Sequence, residues 1–306
     1  MNQSPHRLRV EDLTVVPPRR TGLWVATALT LAFLAMLVWA VGTNKAFAWP
    51  VVGKYLFHPS ILRGLGNTLL LTVTIMVLAT VIGTVVAIMR LSPSRILQSF
   101  ANAYIWFFRG APALIQLIFW FNLAIIMPAI GLTLPGIGTL FSVRTNDVMT
   151  PFLTAVIALS LHEAGYMAEI IRAGITSVPA GQTEAASTLG MSRGRILRRI
   201  VLPQAMRFIV PPTGNEAINL MKATSLVTVI AVDDLLYSAQ TIYARTFETI
   251  PLLIVVAFWY LAVVTVMSIG QHFLEAHFNR SDSRGDGGGF GAALRSAFSL
   301  SRGTRA

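Results

Sequence analysis

No cysteine occurs in the 306 residues, which excludes disulfides, thiolate nucleophiles and zinc sites built on sulfur. Charge is scarce as well. Asp, Glu, Lys and Arg make up 12% of the chain, about half the usual share for a soluble domain. Acids are the rarer sign, 13 against 24 basic residues. No Gly-x-x-x-x-Gly-Lys-Ser/Thr loop is present: the one Gly-Lys pair, Gly53-Lys54, runs into Tyr55. The chain therefore has no P-loop with which to cradle ATP. His162, His272 and His277 are scattered, with no nucleophile and base beside them, so they read as packed or interfacial residues. No internal repeat is evident.

Long apolar runs fill the space that charge leaves, with 54% of residues hydrophobic. A bilayer core takes about 20 apolar residues per helix, and six segments qualify. They run from about Leu23 to Gly42, Leu65 to Met89, Gly110 to Ile130, Pro151 to Ile171, Phe208 to Val232, and Pro251 to Phe273. The first follows Arg19-Arg20 and lacks a small-residue cleavage site, so it reads as an uncleaved helix. Before the third lies an aromatic stretch, Ser99 to Phe108, suited to an interfacial helix. The expectation is an all-α polytopic membrane protein.

Net charge of +11 suggests nucleic acid at first glance, but the basic residues sit between apolar spans and not on a soluble face. With the N-terminus placed inside, inner segments carry 18 of them and outer segments carry five, Lys45, Lys54, Arg63, Arg144 and Arg245. That asymmetry predicts both termini in the cytoplasm and contact with anionic lipid, and no nucleic acid. Residues 1–63 comprise a polar tail, the first span and an outer loop. Residues 274–306 are rich in Gly, Ser and Arg, a composition that cannot bury a core and is expected to be disordered.

The inner segment between the fourth and fifth spans, about 177–205, reads as two short helices. Ser177 is expected to cap the first, with Pro179 in its opening turn. Gly190 suits a left-handed stop after it, and Ser192 is expected to cap the second. There Ile196, Leu197, Ile200 and Val201 fall on one face, and Arg195, Arg198 and Arg199 spread over the other, as on a helix at a membrane surface. The first helix offers Ala185-Ala186, small enough for a partner backbone to approach, beside the carboxylate of Glu184. A plain cytoplasmic hairpin is the alternative.

The spacing decides between them. Glu184-Ala185-Ala186, three residues, Gly190, nine residues, then Ile200-x-Leu202-Pro203 resembles the EAA loop of ABC importer permeases. Gly165-Tyr166-x-Ala168-Glu169-x-x-Arg172-x-Gly174, Pro179-x-Gly181-Gln182, Phe108-Arg109-Gly110-Ala111-Pro112 and Lys222-x-Thr224-Ser225-Leu226 are similar to the polar amino-acid permeases (the histidine, glutamine and glutamate type). The chain departs from them in Gly165 for Ala, Ala111 for Thr and Ala223 for an acid. The resemblance covers residues 64–273 and implies a type I transmembrane domain in a bacterial inner membrane. It implies that Glu184, Ala185, Ala186, Gly190, Ile200, Leu202 and Pro203 couple to a separate ATPase subunit. That subunit would use ATP and Mg; none is bound by this chain, which would not itself be an enzyme. It further implies a second permease copy or homologue and an extracytoplasmic amino-acid-binding protein.

Glu163, Glu169, Glu216 and Lys222 fall inside spans, where an ionised group costs about 2.5–3.5 kcal/mol or more and needs a partner. Glu169 and Arg172, three apart, read as a structural pair. Glu163 either receives a substrate ammonium or satisfies an interhelical hydrogen bond. Asn215 and Thr224 could add neutral hydrogen bonds to the pathway, and Lys222 either meets substrate or bonds to another helix. Gly110, Ala111 and Pro112 would open the third helix, which marks either a gate or a simple helix start. An ion-coupled secondary transporter or channel is the competing class. It would use the intramembrane acids but has no role for the loop.

Overall fold

The computed structural model describes residues 21–134 and 138–279; of the C-terminal tail expected to be disordered, residues 274–279 continue the last helix, and the rest of both tails lies outside the described residues. By packing, the chain divides into two units, Met1–Trp49 and Pro50–Ala306. The first holds α1 (Thr21–Thr43), followed by a 3-10 turn (Lys45–Phe47). α1 is apolar all round, as a helix surrounded by hydrocarbon must be.

The second unit takes in all but the first residue of α2 (Trp49–Leu56), then the long α3 (Pro59–Leu91). α3 is apolar on every face, and its packed face mixes small and large residues. Gly64, Thr68, Leu71, Ile75, Ala79, Gly83 and Ala87 form a buried stripe at helical spacing, while Leu70, Val73, Val77, Val81 and Val85 stay exposed on the lipid side. Apolar burial gives little preference between lipid and protein here, so close approach at Gly64 and Gly83 helps select the packing face. The main partner is α8 (Pro151–Thr176), which contributes Ala155, Ala158, Ala164 and Ala168. A Cβ added at Gly83 would lie 2.7 Å from the Met167 Cβ.

α4 (Arg95–Gly110) and α5 (Ala113–Phe121) meet at a bend of 100°. The aromatic segment is thus an angled helix of its own, as expected. The third span is shorter than predicted: after α5 and a single turn, α6 (Leu123–Ile126), the chain leaves the helix. Ala129–Leu134 (β1) and Gly138–Arg144 (β2) instead pair antiparallel, Ala129 opposite Arg144, with an irregularity between Leu132 and Thr133. Gly131 and the Pro135-Gly136 dipeptide disfavour helix and favour a hairpin, a small exception to the all-α reading. α7 (Thr145–Val148) leads into α8, which Thr150 caps by accepting from the Leu153 amide.

Beyond α8 come α9 (Ala180–Thr188), α10 (Arg193–Ile196), α11 (Leu202–Ala223), α12 (Leu235–Thr246) and α13 (Thr249–Asn279). The fifth span is α11 extended by a 3-10 stretch, Thr224–Ile230, which ends at Ala231 in the left-handed region. α12 was not foreseen from periodicity. It starts at the buried Asp234, which accepts from the Tyr237 amide at 2.8 Å and from Thr228 at 3.0 Å. It docks on α3, where Asn67 donates to the Asp233 carbonyl at 2.7 Å and the Leu235 amide donates to Thr68 at 3.1 Å.

Among the described residues, Gly22–Thr43, Pro59–Leu91 and Thr249–Phe278 are each long and apolar enough to cross a membrane, and the bent α4–α5 pair makes a fourth if taken as one span. The predicted fourth and fifth spans correspond to the helices α8 and α11, which are not among those four; Glu163 is buried in the bundle, Glu169, Arg172 and Glu216 are half-buried, and Lys222 is exposed. A bundle interior tolerates such groups where a lipid-facing surface would not.

Candidate functional site

The loop between α8 and α11 differs from its sequence reading in three ways, each with a local cause. Ser177 does not cap α9. It ends α8, donating its hydroxyl to the Gly174 carbonyl at 2.8 Å, and Pro179 takes the N-cap position, because a proline disfavours helix in the residue before it. Ser192 stands at the start of α10, but its side chain makes no capping bond. The second helix is also not separate: α10 runs through a π turn, Leu197–Val201, directly into α11. Pro203 has no amide to offer, and the Leu202 amide reaches back to Leu197, so the widened turn falls where the Ile200-x-Leu202-Pro203 motif places a missing donor.

Gly190 behaves as expected. Its φ is +74°, its amide donates to Ser187 at 2.9 Å, and the Met191 amide donates to Ala186 at 3.2 Å. This is the paired closure that ends a helix in a left-handed residue, and a side chain there would be strained. The turn folds α9 against α10 so that Ala186 packs with Ile196, Val201 and Ala205. The alanine patch is therefore half internal: Ala186 is buried, whereas Ala185 and Glu184 face outward. Ile200 is half-buried, and Leu202 and Pro203 are exposed. Leu189, beside Gly190, is 82% exposed. A lone apolar side chain at a loop tip, next to a carboxylate in no ion pair among the described residues, suits a docking surface.

The second cluster lies along α8. Glu163 is buried, its Oε1 has no hydrogen-bond partner among the described residues, and its carboxyl faces that of Glu216 on α11. Neither acid is in an ion pair among the described residues. The two carboxyls are within hydrogen-bonding reach of each other, an arrangement that either shares a proton between the helices or accepts a cation. Glu169 is different: it pairs with Arg172 at 3.0 Å and with Arg90 of α3, the structural pair expected from sequence with a third member from another helix.

The neutral residues are less convergent. Asn215 and Lys222 are exposed on α11. Thr224 is fully buried, with its hydroxyl donating to the Met221 carbonyl at 2.7 Å. Gly110 and Ala111 form the elbow between α4 and α5. There Gln116, which sequence reasoning missed, donates to the carbonyls of Phe108 and Ala111 at 3.0 and 2.9 Å and meets His162 Nδ1 at 3.1 Å. A glutamine four residues after Pro112 is the signal that could have found it, since the proline removes a donor that something must replace. Arg109 lies over the Tyr166 ring, 5.0 Å from its centroid, and Gly165 makes room for its stem, a Cβ there being 3.1 Å from Arg109 Cγ.

Comparison with known proteins gives the family. Residues 79–280 match the family model described as binding-protein-dependent transport system inner membrane component. The arginine transport system permease protein ArgU of Corynebacterium glutamicum is 41% identical over 287 residues, 93% of this chain and 89% of that protein. The L-cystine transport system permease protein TcyB of Bacillus subtilis is 36% identical, over 79% of this chain and 95% of that one. Among solved structures, an amino acid ABC transporter crystallised with histidines aligns with TM-score 0.63 at 30% identity, covering 74% of this chain and 97% of the other. The MetNI methionine ABC transporter, at 18% identity and TM-score 0.59, shares the fold.

Proposed function

This chain belongs to the family of binding-protein-dependent transport system inner membrane components, and from that premise we propose that it carries polar amino acids inward across a bacterial inner membrane as the permease subunit of an ABC importer. The observation that carries the reading is the loop of α9 and α10. Its Glu184, Ala185, Gly190, Ile200, Leu202 and Pro203 present an exposed acid and small residues on a rigid turn closed by Gly190, and Ala186 anchors that turn to α11. A separate ATPase subunit docks there, binds ATP and Mg, and drives the two coupling loops of a permease pair together. A second copy or homologue completes the pair, and an extracytoplasmic binding protein delivers the solute. An ion-coupled secondary transporter would leave this loop without a task.

The facing carboxyls of Glu163 and Glu216 receive the positive group of the solute, the ammonium of any amino acid or the side-chain cation of a basic one. That the relative ArgU is an arginine transport system permease favours the second. Gly110, Ala111 and Pro112 form the elbow that lets α5 tilt against α4 beside them; Asn215, Lys222 and Thr224 lie on the same α11 segment as Glu216 and its 3-10 extension.

Uptake of labelled arginine, glutamine and glutamate into proteoliposomes holding this chain with its co-purifying subunits and binding protein tests the reading. ATP-dependent accumulation of an amino acid is the expected result. Accumulation driven by an ion gradient without ATP would overturn it.

A further inference from the structure

At the end of the bundle that carries the coupling loop, three helix ends converge on a cleft of about 260 Å³. Ser177, Val178 and Pro179 line it where α8 gives way to α9, Gln204, Arg207 and Phe208 line it from α11, and Phe278 lines it from the end of α13. We propose that this cleft holds the headgroup of one anionic phospholipid, bound through Arg207, and that the lipid braces the coupling loop against the membrane. The inference is independent of which solute is carried.

Arg207 is the group that needs explaining. It is exposed and in no ion pair among the described residues. Glu275, one turn before Phe278 on α13, accepts from Gln271 at 2.9 Å instead. Of the other polar side chains of the cleft, Ser177 spends its donor on the Gly174 carbonyl at 2.8 Å, and Gln204 spends one of its two on the Ile200 carbonyl at 3.0 Å. Arg207 therefore offers its whole donor fork to whatever enters, and a fork of that shape matches phosphate oxygens. The walls identify the rest of the occupant. Phe208, 52% exposed, and Phe278 give the mouth an apolar rim next to a phosphate-binding group, which suits a molecule with an acyl tail and not a free anion. Arg193, Arg195, Arg198 and Arg199, all exposed on the adjoining turns, make the surroundings positive. That disfavours the cationic headgroup of a zwitterionic lipid and favours a net negative one. Val178 and Pro179 belong at once to the cleft and to the entry of α9, so an occupied cleft stiffens the turn on which the coupling residues stand.

The test is competitive lipid retention, read by native mass spectrometry. The chain with its co-purifying subunits is exchanged into equimolar phosphatidylglycerol and phosphatidylcholine. Preferential retention of one phosphatidylglycerol is expected, weakened about fivefold in Arg207→Gln, largely kept in Arg207→Lys, and insensitive to millimolar inorganic phosphate. Equal retention of the two lipids by the unaltered chain would overturn the proposal without recourse to any variant. So would unchanged phosphatidylglycerol retention in a folded Arg207→Gln, or complete displacement by inorganic phosphate, which would make the occupant a free anion. Loss of an ATPase subunit from Arg207→Gln with lipid retention unchanged would assign the cleft to a protein partner.

Discussion

Glu163 is the residue whose placement costs most and so says most. A carboxyl buried beside a second carboxyl, with one oxygen unpartnered, is a poor choice for stability alone. Replacing it by Gln removes the like-charge contact and keeps the shape, so the variant folds at least as stably as the parent. Its uptake of a basic amino acid falls roughly tenfold or more, the loss expected for a hydrogen bond to a charged group, and Glu216→Gln behaves alike. Thermal stability in detergent and initial uptake rates read the two effects separately; a variant that loses stability and keeps transport would make Glu163 a structural residue. Sequence showed that this acid lies inside a span. It did not show its neighbour, because the facing of positions 163 and 216 depends on how α8 and α11 cross, and no local pattern encodes that. The same limit hid the burial of Ala186, whose environment is made by Ile196 and Val201 across the Gly190 turn.

Two elements owe their geometry to one residue each. At the α4–α5 elbow the Gln116 amide donates to the carbonyls of Phe108 and Ala111, and His162 also bonds that of Phe108. Gln116→Leu strands the Ala111 carbonyl, at a cost of about 1–3 kcal/mol. A lower melting temperature in detergent together with slower transport is the expected outcome, and an unchanged melting temperature would show that water replaces the side chain. α12 rests on α3 at Gly64, where an added Cβ would lie 2.6 Å from the Asp234 carbonyl oxygen. Gly64→Ala forces backbone apart and destabilises by about 1–3 kcal/mol. Gly181→Ala in α9 meets nothing within 4 Å and gains helix propensity, so its stability is unchanged or higher by up to about 1 kcal/mol. The two glycines look alike in sequence, and the contrast between their melting temperatures checks the packing of α12. That helix escaped periodicity because its apolar residues answer to α3 and α13 through tertiary contacts. The spans themselves were legible because a bilayer demands length and apolarity whatever the neighbours are, while the hairpin after α6 was hidden inside an apolar run that satisfies either reading.

For the whole molecule, the proposed function requires the inner turn closed by Gly190 to transmit work done on a separate ATPase subunit to α8 and α11. The class of protein was legible because the coupling loop is a contiguous motif whose glycine and proline have fixed backbone tasks, the positive φ at Gly190 and the missing donor at Pro203. The residues expected from sequence to line a pathway do not converge: Glu163 meets Glu216, which was not among them, Asn215 and Lys222 are exposed, and Thr224 turns to its own helix. The most direct test is a detergent pull-down of the tagged chain from its native membrane, with co-purifying subunits identified by mass spectrometry, for the unaltered protein and for Glu184→Lys. Glu184 is exposed and in no ion pair among the described residues, so the substitution spares folding and insertion. The account predicts an ATPase subunit with the unaltered chain and a clear loss of it from Glu184→Lys at equal permease yield. Recovery of the ATPase undiminished by the charge reversal, or of the permease with no ATPase at all, would contradict it.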